Sequence, residues 1–165
     1  MSKLARAVFP GSFDPLTLGH VDIISRALEF CEQVIVGVLA NPSKTPLFTA
    51  DERVELIQAH FQGYGDRVCA ESFSGLLVDF AKEKQTRVLL RGLRATSDFD
   101  YEAQMALMNR HLSPEMETFF LMTLEKHSYI SSSLVKQVAP LGGSVEHLVP
   151  PVVAEALGNK YRSRC

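Results

Sequence analysis

A ten-residue segment near the start of the chain, Gly11–His20 (GSFDPLTLGH), combines residue types that can hold a phosphate. It follows a short apolar run at 7–9 and precedes a helix-like spacing of apolar residues at 21–28. The first N–H groups of a helix lack intrahelical partners and carry partial positive charge, so anions bind there. His20 adds a donor where charge would develop on a phosphorus under attack. The alternative is an ordinary turn rich in Gly, Pro and Asp, with an incidental surface histidine.

Three later segments carry cations or hydroxyls directly after strand candidates: Lys44, the pair Arg91 and Arg94, and the run Ser128–Ser133. Guanidinium groups can bind a polyphosphate through forked hydrogen bonds, and a lysine can clamp an anion. The serine hydroxyls, together with helix N–H groups, form a second candidate anion site. Each segment also has a plainer interpretation, as a solvated lysine, a pair of surface arginines or a helix cap. Cationic segments that leave several strands at one sheet edge favour the anion-binding interpretation.

The acidic residues that follow this arginine pair have two interpretations. Asp98 and Glu102 lie near a predicted helix start, where they would complement the helix dipole. Glu102 is alternatively an acceptor for the ribose or base of a ligand. The histidines other than His20 lack metal-ligand spacing with one another, and a GxxxxGK[ST] phosphate loop is absent from the sequence, which argues against ordinary kinase or NTPase chemistry.

Composition limits the class of protein. The 165 residues are 46% hydrophobic and 22% charged with a net charge of −2, which is typical of one globular domain. This charge indicates no nucleic-acid partner, and no apolar run is long enough to cross a membrane. The three cysteines are widely spaced, without a zinc or disulfide pattern, and predict a cytoplasmic protein.

The elements that must position these residues alternate along the chain. Strands are predicted at 5–9, 33–40, 67–73, 87–90 and 117–122, and helices near 20–31, 49–62, 75–85, 98–111, 131–139 and 151–161. Thr49 and Glu52 have the spacing of a capping box at the second helix. This alternation predicts a single α/β domain over residues 1–165, a doubly wound, Rossmann-like five-stranded parallel sheet with helices on both faces. Ligands bind such sheets at the carboxyl ends of the strands. A short polar tail is expected from about residue 158.

The order of a GxFDPxTxGH loop, a later RGLR at 91–94 and an ISSS helix start at 130–133 resembles the nucleotidylyltransferase superfamily. Within it, the chain is similar to the bacterial phosphopantetheine adenylyltransferase family from about Ala7 to Leu157. The Pro-Ser-Lys loop and the RGLR run are the residues that narrow the resemblance to this family. Three positions depart from the common pattern of the family: this chain has Ser12 where threonine is frequent, Leu18 where asparagine is frequent and His127 where tryptophan is common.

This resemblance implies transfer of AMP from ATP to 4′-phosphopantetheine, giving dephospho-coenzyme A and pyrophosphate. His20 would stabilise the transition state. Phosphopantetheine would contact Ser12, Lys44, Leu77 and Arg91. ATP would contact Ser12, Phe13, His20, Gly92, Leu93, Arg94, Glu102, His127, Ser128, Tyr129, Ile130, Ser131, Ser132 and Ser133. A homohexamer and feedback inhibition by coenzyme A are also implied.

The expected mechanism has no covalent intermediate. A phosphate monoester has a second pKa of about 6, so the nucleophile is largely dianionic at pH 7 and needs no general base. In-line attack then depends on positioning and on electrostatic stabilisation. Mg²⁺ is expected to be held by phosphates and water rather than by protein side chains. The protonation state of His20 stays open, because a helix N-terminus favours the neutral ring and phosphates favour the charged one.

Two alternatives remain at the level of sequence. One is a nicotinamide-mononucleotide adenylyltransferase or a cytidylyltransferase, which usually carries histidine where Thr17 stands. The other is a non-catalytic nucleotide-binding protein that has kept the fold. The presence of His20 and of the basic residues argues against the second alternative.

Overall fold

The strands of the computed structural model, which describes residues 3–40 and 45–162, form one five-stranded parallel sheet. The strand order is β3-β2-β1-β4-β5, so the sheet predicted from the alternation is confirmed. The observed strands are β1 (Leu4–Gly11), β2 (Cys31–Leu39), β3 (Val68–Phe73), β4 (Val88–Leu93) and β5 (Glu117–Met122).

Each predicted helix is present. The helices are α1 (Leu18–Ala27), α2 (Ala50–Phe61), α3 (Leu77–Glu83), α4 (Thr96–Leu112), α5 (Ser132–Val138) and α6 (Pro151–Arg162). The capping box at α2 is confirmed, because the Thr49 hydroxyl accepts the Glu52 N–H and the Glu52 carboxylate accepts the Thr49 N–H. The segment expected to be a tail from about residue 158 is helical as far as Arg162, since α6 continues through it. None of the helices described is long and apolar enough for a membrane span.

Helices cover both faces of the sheet, and the alternation of side chains along the strands shows how. In β1, Ala7 and Phe9 join a large buried cluster that includes residues of α1, α2, α5 and α6. Val8 lies between them in sequence but belongs to a smaller cluster on the other face, with Val78 and Phe80 of α3. Because both faces of β1 are buried, its sequence at 7–9 is continuously apolar, as expected of a central parallel strand.

The strand order reverses between β1 and β4. The first three strands progress outward from β1 on one side, and the chain then returns to place β4 on the other. The pairing of β1 with β4 has a single residue pair in register, Val8 with Leu89, whereas β1 and β2 pair along most of their length. In open α/β sheets such a reversal creates a crevice at the carboxyl ends of the two strands. The ligand site is therefore expected above this junction.

Candidate active site

A cleft of about 510 Å³ lies where β1 and β4 end. It brings together residues from the loop after β1, from α1, from the end of β4 with the start of α4, and from the start of α5. The predicted site residues that line it are Ser12, Phe13, His20, Arg91, Gly92, Arg94, Glu102, Ile130, Ser131, Ser132 and Ser133. Three of the segments that the sequence analysis singled out therefore meet in one place.

His20 is held in the cleft by the cap of its own helix. Thr17 is the N-cap residue of α1; its hydroxyl accepts the His20 N–H at 3.4 Å, and its backbone N–H donates to His20 Nδ1 at 3.0 Å. This is a capping box in which histidine takes the place of the usual Glu or Gln. Because Nδ1 is the acceptor, the neutral ring carries its proton on Nε2. The fold thus makes Nε2 a hydrogen-bond donor in the cleft.

The surroundings of His20 favour its neutral form. Burial lowers the pKa of His20 to about 4, and the positive charges of Arg94 and Arg91 act in the same direction. The ring is packed edge-on against Phe13, with centroids 4.9 Å apart, and more loosely against Phe9 at 6.3 Å. Phe13 itself is buried and has a φ of 48°, in the left-handed region that non-glycine residues seldom adopt. The loop backbone is therefore shaped so that this ring supports the histidine.

Arg91 is oriented by a carboxylate rather than left free. Its Nε and Nη2 donate to the two oxygens of Glu102, both at 2.6 Å, and its Nη1 donates to the Pro10 carbonyl at 2.9 Å. The bidentate pair fixes the plane of the guanidinium. Glu102, expected to act as a dipole complement or as an acceptor for the ribose or base of a ligand, is thus bonded to Arg91.

Arg94 is held more loosely at the mouth of the cleft. Its Nε donates to Asp98 at 3.3 Å and its Nη1 to the Ile130 carbonyl at 3.5 Å, while the side chain remains 44% exposed. These long contacts leave the guanidinium able to exchange partners. Arg94 is thus the more adaptable of the two cationic groups.

The serine run caps α5, and its role as a second anion site stays a prediction. Ser131 is the N-cap residue of α5 and accepts the Leu134 N–H at 3.0 Å, as simple capping requires. The Ser132 hydroxyl donates to the Pro15 carbonyl at 2.8 Å, so it ties α5 to the loop after β1. Ser133 lines the cleft together with Ser131 and Ser132.

Several residues that the resemblance assigned to the ligands lie outside this lining. Leu93 is buried in the core, and Leu77 begins α3 and packs against the smaller apolar cluster. Tyr129 is exposed, and the buried His127 Nδ1 has no partner within the described residues. The full set outside the lining is Leu77, Leu93, His127, Ser128 and Tyr129. Their roles stay predictions, and Lys44 lies outside the described residues.

Sequence reasoning missed a group of charged residues behind the loop. Asp14 accepts the backbone N–H groups of Leu47 and Phe48, both at 2.9 Å, and the ammonium of Lys136 at 2.9 Å. Arg53, which is 4% exposed, donates to the Ser12 carbonyl at 2.6 Å. Asp14 was visible in the first motif, but its partners are distant in sequence and no local pattern marks them.

Magnesium has no protein cage in the described parts of the chain. Among residues 3–40 and 45–162, no three His, Cys, Asp or Glu side chains form a group that could hold a metal ion. The two carboxylates that line the cleft, Asp98 and Glu102, are each bonded to an arginine. Since Mg²⁺ requires several oxygen ligands in near-octahedral geometry, these residues do not fit such a site by themselves.

The fold is similar to that of solved structures of adenylyltransferases. A bifunctional NMN adenylyltransferase/ADP ribose pyrophosphatase from Francisella tularensis superposes with a TM-score of 0.75 at 15% identity, over 96% of this chain and 52% of its own. A putative nicotinate-nucleotide adenylyltransferase from Vibrio parahaemolyticus gives 0.68 at 18% identity, over 96% of this chain and all of its own. At these identities the likeness concerns the fold.

Residues 8–138 match the family described as cytidylyltransferase-like, and together with its relatives this makes the chain a nucleotidyltransferase. Two curated relatives refine this class. The phosphopantetheine adenylyltransferase of Alkaliphilus metalliredigens is 55% identical over 93% of this chain and 97% of its own length. That of Clostridium kluyveri is 55% identical over 96% of both. The chain belongs to the phosphopantetheine adenylyltransferase family, which confirms the resemblance carried by the three motifs.

Proposed function

We propose that this enzyme transfers the adenylyl group of ATP to 4′-phosphopantetheine and releases pyrophosphate and dephospho-coenzyme A. The observation that carries the proposal is that the cap of α1 fixes the orientation of the His20 ring. Thr17 occupies Nδ1, so the neutral ring offers its Nε2 proton in the same cleft as Arg91 and Arg94. A fixed neutral donor between cations suits a reaction in which negative charge builds up on a phosphorus.

The direction of the His20 pKa separates two possible roles. A ring with a pKa of about 4 is already neutral at pH 7, and its acceptor nitrogen is engaged by Thr17. It therefore acts as a hydrogen-bond donor to the α-phosphate and not as a general base. The nucleophile needs no base, because the phosphate of phosphopantetheine is largely dianionic at pH 7.

The main barrier is the approach of one anion to another. Arg91, whose plane Glu102 fixes, and Arg94 offset that repulsion and hold the phosphates in line. In-line attack on the α-phosphorus forms the new P–O bond and breaks the bond to the β-phosphate oxygen. Pyrophosphate leaves with that electron pair, and no covalent enzyme intermediate is formed.

The division of the cleft between the substrates follows the resemblance. Phosphopantetheine is assigned to Ser12, Lys44, Leu77 and Arg91. ATP is assigned to Ser12, Phe13 and His20 and to the wall formed by the end of β4, α4 and the start of α5. Mg²⁺ enters as part of the ATP substrate, held by phosphate oxygens and water. This assignment suits a cleft whose carboxylates are already bonded to arginine.

We also propose self-association through the outer surface of α4 and β5, in the homohexamer that the resemblance implies. Large apolar side chains are exposed there, and such a surface commonly marks an interface. They include Phe99, Leu107, Met108, Phe119 and Met122, exposed by 43% to 68%. A cytoplasmic location and feedback inhibition by coenzyme A belong to the same proposal. Sedimentation velocity of the wild type and of Leu107→Glu tests the association.

The decisive experiment is pyrophosphate release from purified protein with ATP and Mg²⁺, comparing 4′-phosphopantetheine with nicotinamide mononucleotide. We expect release with phosphopantetheine only, and dephospho-coenzyme A identified by mass. Release with the mononucleotide instead would overturn the substrate and keep the chemistry. If neither substrate leads to pyrophosphate release in a protein that binds ATP, the proposed catalysis would be overturned.

A further inference from the structure

Arg53 lies behind the loop after β1, outside the lining of the cleft, and makes bonds to three separate segments. It is 4% exposed. Its Nε donates to the carbonyls of Phe48 and Thr49, both at 3.1 Å, at the start of α2. Its Nη1 donates to the carbonyl of Ser12 at 2.6 Å and to that of Leu39 at 3.1 Å. One planar group thus joins the phosphate-binding loop, the end of β2 and the beginning of α2.

The chemistry of this contact suits alignment better than simple filling of space. All four of these acceptors are main-chain carbonyls, so the guanidinium fixes backbone positions and not another side chain. Burial lowers the pKa of Arg53, and the nearby charge of Asp14 opposes that shift. A buried charge carries a desolvation cost that an apolar side chain of similar volume would avoid. What the charge supplies in return is the fixed fork of donors peculiar to arginine.

Asp14 lines the same small cavity as Arg53 and adds further bonds to the loop. It joins the loop to the segment before α2 through the N–H groups of Leu47 and Phe48, and to α5 through Lys136. Burial raises the pKa of Asp14, but these hydrogen bonds outweigh it and the pKa is lowered overall. Asp14 is therefore a carboxylate at neutral pH, and two charged groups of opposite sign hold the loop.

We propose that Arg53 is a positioning residue for the transfer reaction. It acts through Ser12, which lines the cleft and whose carbonyl it holds. Through Leu39 and Thr49 it sets where that loop lies relative to the end of β2 and the start of α2. The proposal rests on the proposed function, because it concerns the alignment of two substrates between these walls.

The alternative is that Arg53 only stabilises the fold, and substitution by lysine separates the two roles. Arg53→Lys keeps the charge but replaces the fork by one nitrogen, which cannot reach all three segments at once. We expect kcat, normalised to the concentration of folded protein that binds ATP, to fall about 10-fold. Small misplacements of reacting groups cause losses of this kind. The KM for ATP should stay within about twofold, since most of its assigned residues lie on the opposite wall. A lowered Tm with unchanged kcat would overturn the positioning role.

The matched control is Arg67→Lys. Arg67 also donates to a main-chain carbonyl, that of Leu28 at 2.7 Å, but this contact lies at the amino ends of the strands. We expect its kcat to match the wild type. An equal fall in kcat in both variants would contradict the proposal.

Hydrogen exchange provides a readout that does not depend on turnover. In Arg53→Lys, the backbone amides of residues 11–14 should exchange about 10-fold faster than in the wild type, with no such change in Arg67→Lys. Unchanged exchange in this segment would overturn the inference even if the wild type uses another substrate. Wild-type turnover, measured in parallel, tests the proposed function on its own.

Discussion

The two edges of the sheet carry clefts of similar size, but only one is built for an anion. The cleft at the amino ends, about 550 Å³, also contains arginines: Arg6 donates to the carbonyl of Lys84, and Arg67 to that of Leu28. Both carbonyls belong to C-terminal cap residues of helices, which carry partial negative charge. The arginines there neutralise helix ends, and two carboxylates line the same groove.

At the carboxyl edge, arginines lie near the beginnings of helices instead of their ends. In a parallel sheet, each helix that connects two strands begins at this edge, so partly positive helix N-termini gather there. Glu102 and Asp98 balance the charges of Arg91 and Arg94, so the helix N-termini supply the positive potential of this cleft, whereas Arg6 and Arg67 lie against helix C-termini. The polarity of the chain, more than the count of arginines, decides where a phosphate binds.

The largest effect expected at the carboxyl edge is from His20→Ala. Removal of a transition-state donor should lower kcat by about 100-fold or more. The KM values should change less, because the cations still bind the phosphates. Steady-state kinetics with both substrates would measure this, and near-normal turnover would contradict the role of His20.

A smaller loss is expected from Glu102→Gln. The change keeps the shape of the side chain but removes the charge that fixes the plane of Arg91. We expect kcat/KM to fall about 10-fold through misalignment of that guanidinium. If Glu102 instead contacts the nucleotide, binding calorimetry will show a weaker affinity for ATP and an unchanged affinity for phosphopantetheine.

The third prediction concerns pH. Because the pKa of His20 is lowered to about 4 from an unfolded value of 6.5, the folded ring stays neutral as the pH falls through 6.5. The unfolded chain binds this proton more readily, so the free energy of unfolding should decrease as pH falls from about 6.5 to 4. Nuclear magnetic resonance titration of the ring, assigned with His20→Ala, checks the value. A pKa near 6.5 would be inconsistent with the buried, neutral donor.

The smallest effect is expected at the amino edge. Asp66→Asn removes a carboxylate that lines the groove there. Activity should remain within about twofold of wild type, because surface substitutions away from a site change little. A loss comparable with that of Glu102→Gln would remove the distinction between the two edges.

The fold and the place of the site were largely predictable because both follow from local patterns. Apolar periodicity gave the strands and helices, and the loop after β1 marked the edge that binds ligand. The cap of His20 was missed although it is local, because histidine stands where Glu or Gln is usual after Thr17. The bonds of Arg53 to Ser12 and of Asp14 to Lys136 span 41 and 122 positions. Such contacts depend on how the elements pack, which no spacing in the sequence records.

The junction of β1 and β4 also has a meaning for folding. It joins two parts of the chain whose bonded residues are far apart, as in the contact of Arg91 with Pro10, 81 positions away. Closing so long a loop costs entropy that contacts at the junction must offset, and only one residue pair is in register there. A ligand that contacts both walls binds only the joined state, so it stabilises the closed chain by mass action. The substrates of this enzyme are in that sense also ligands of its folding equilibrium.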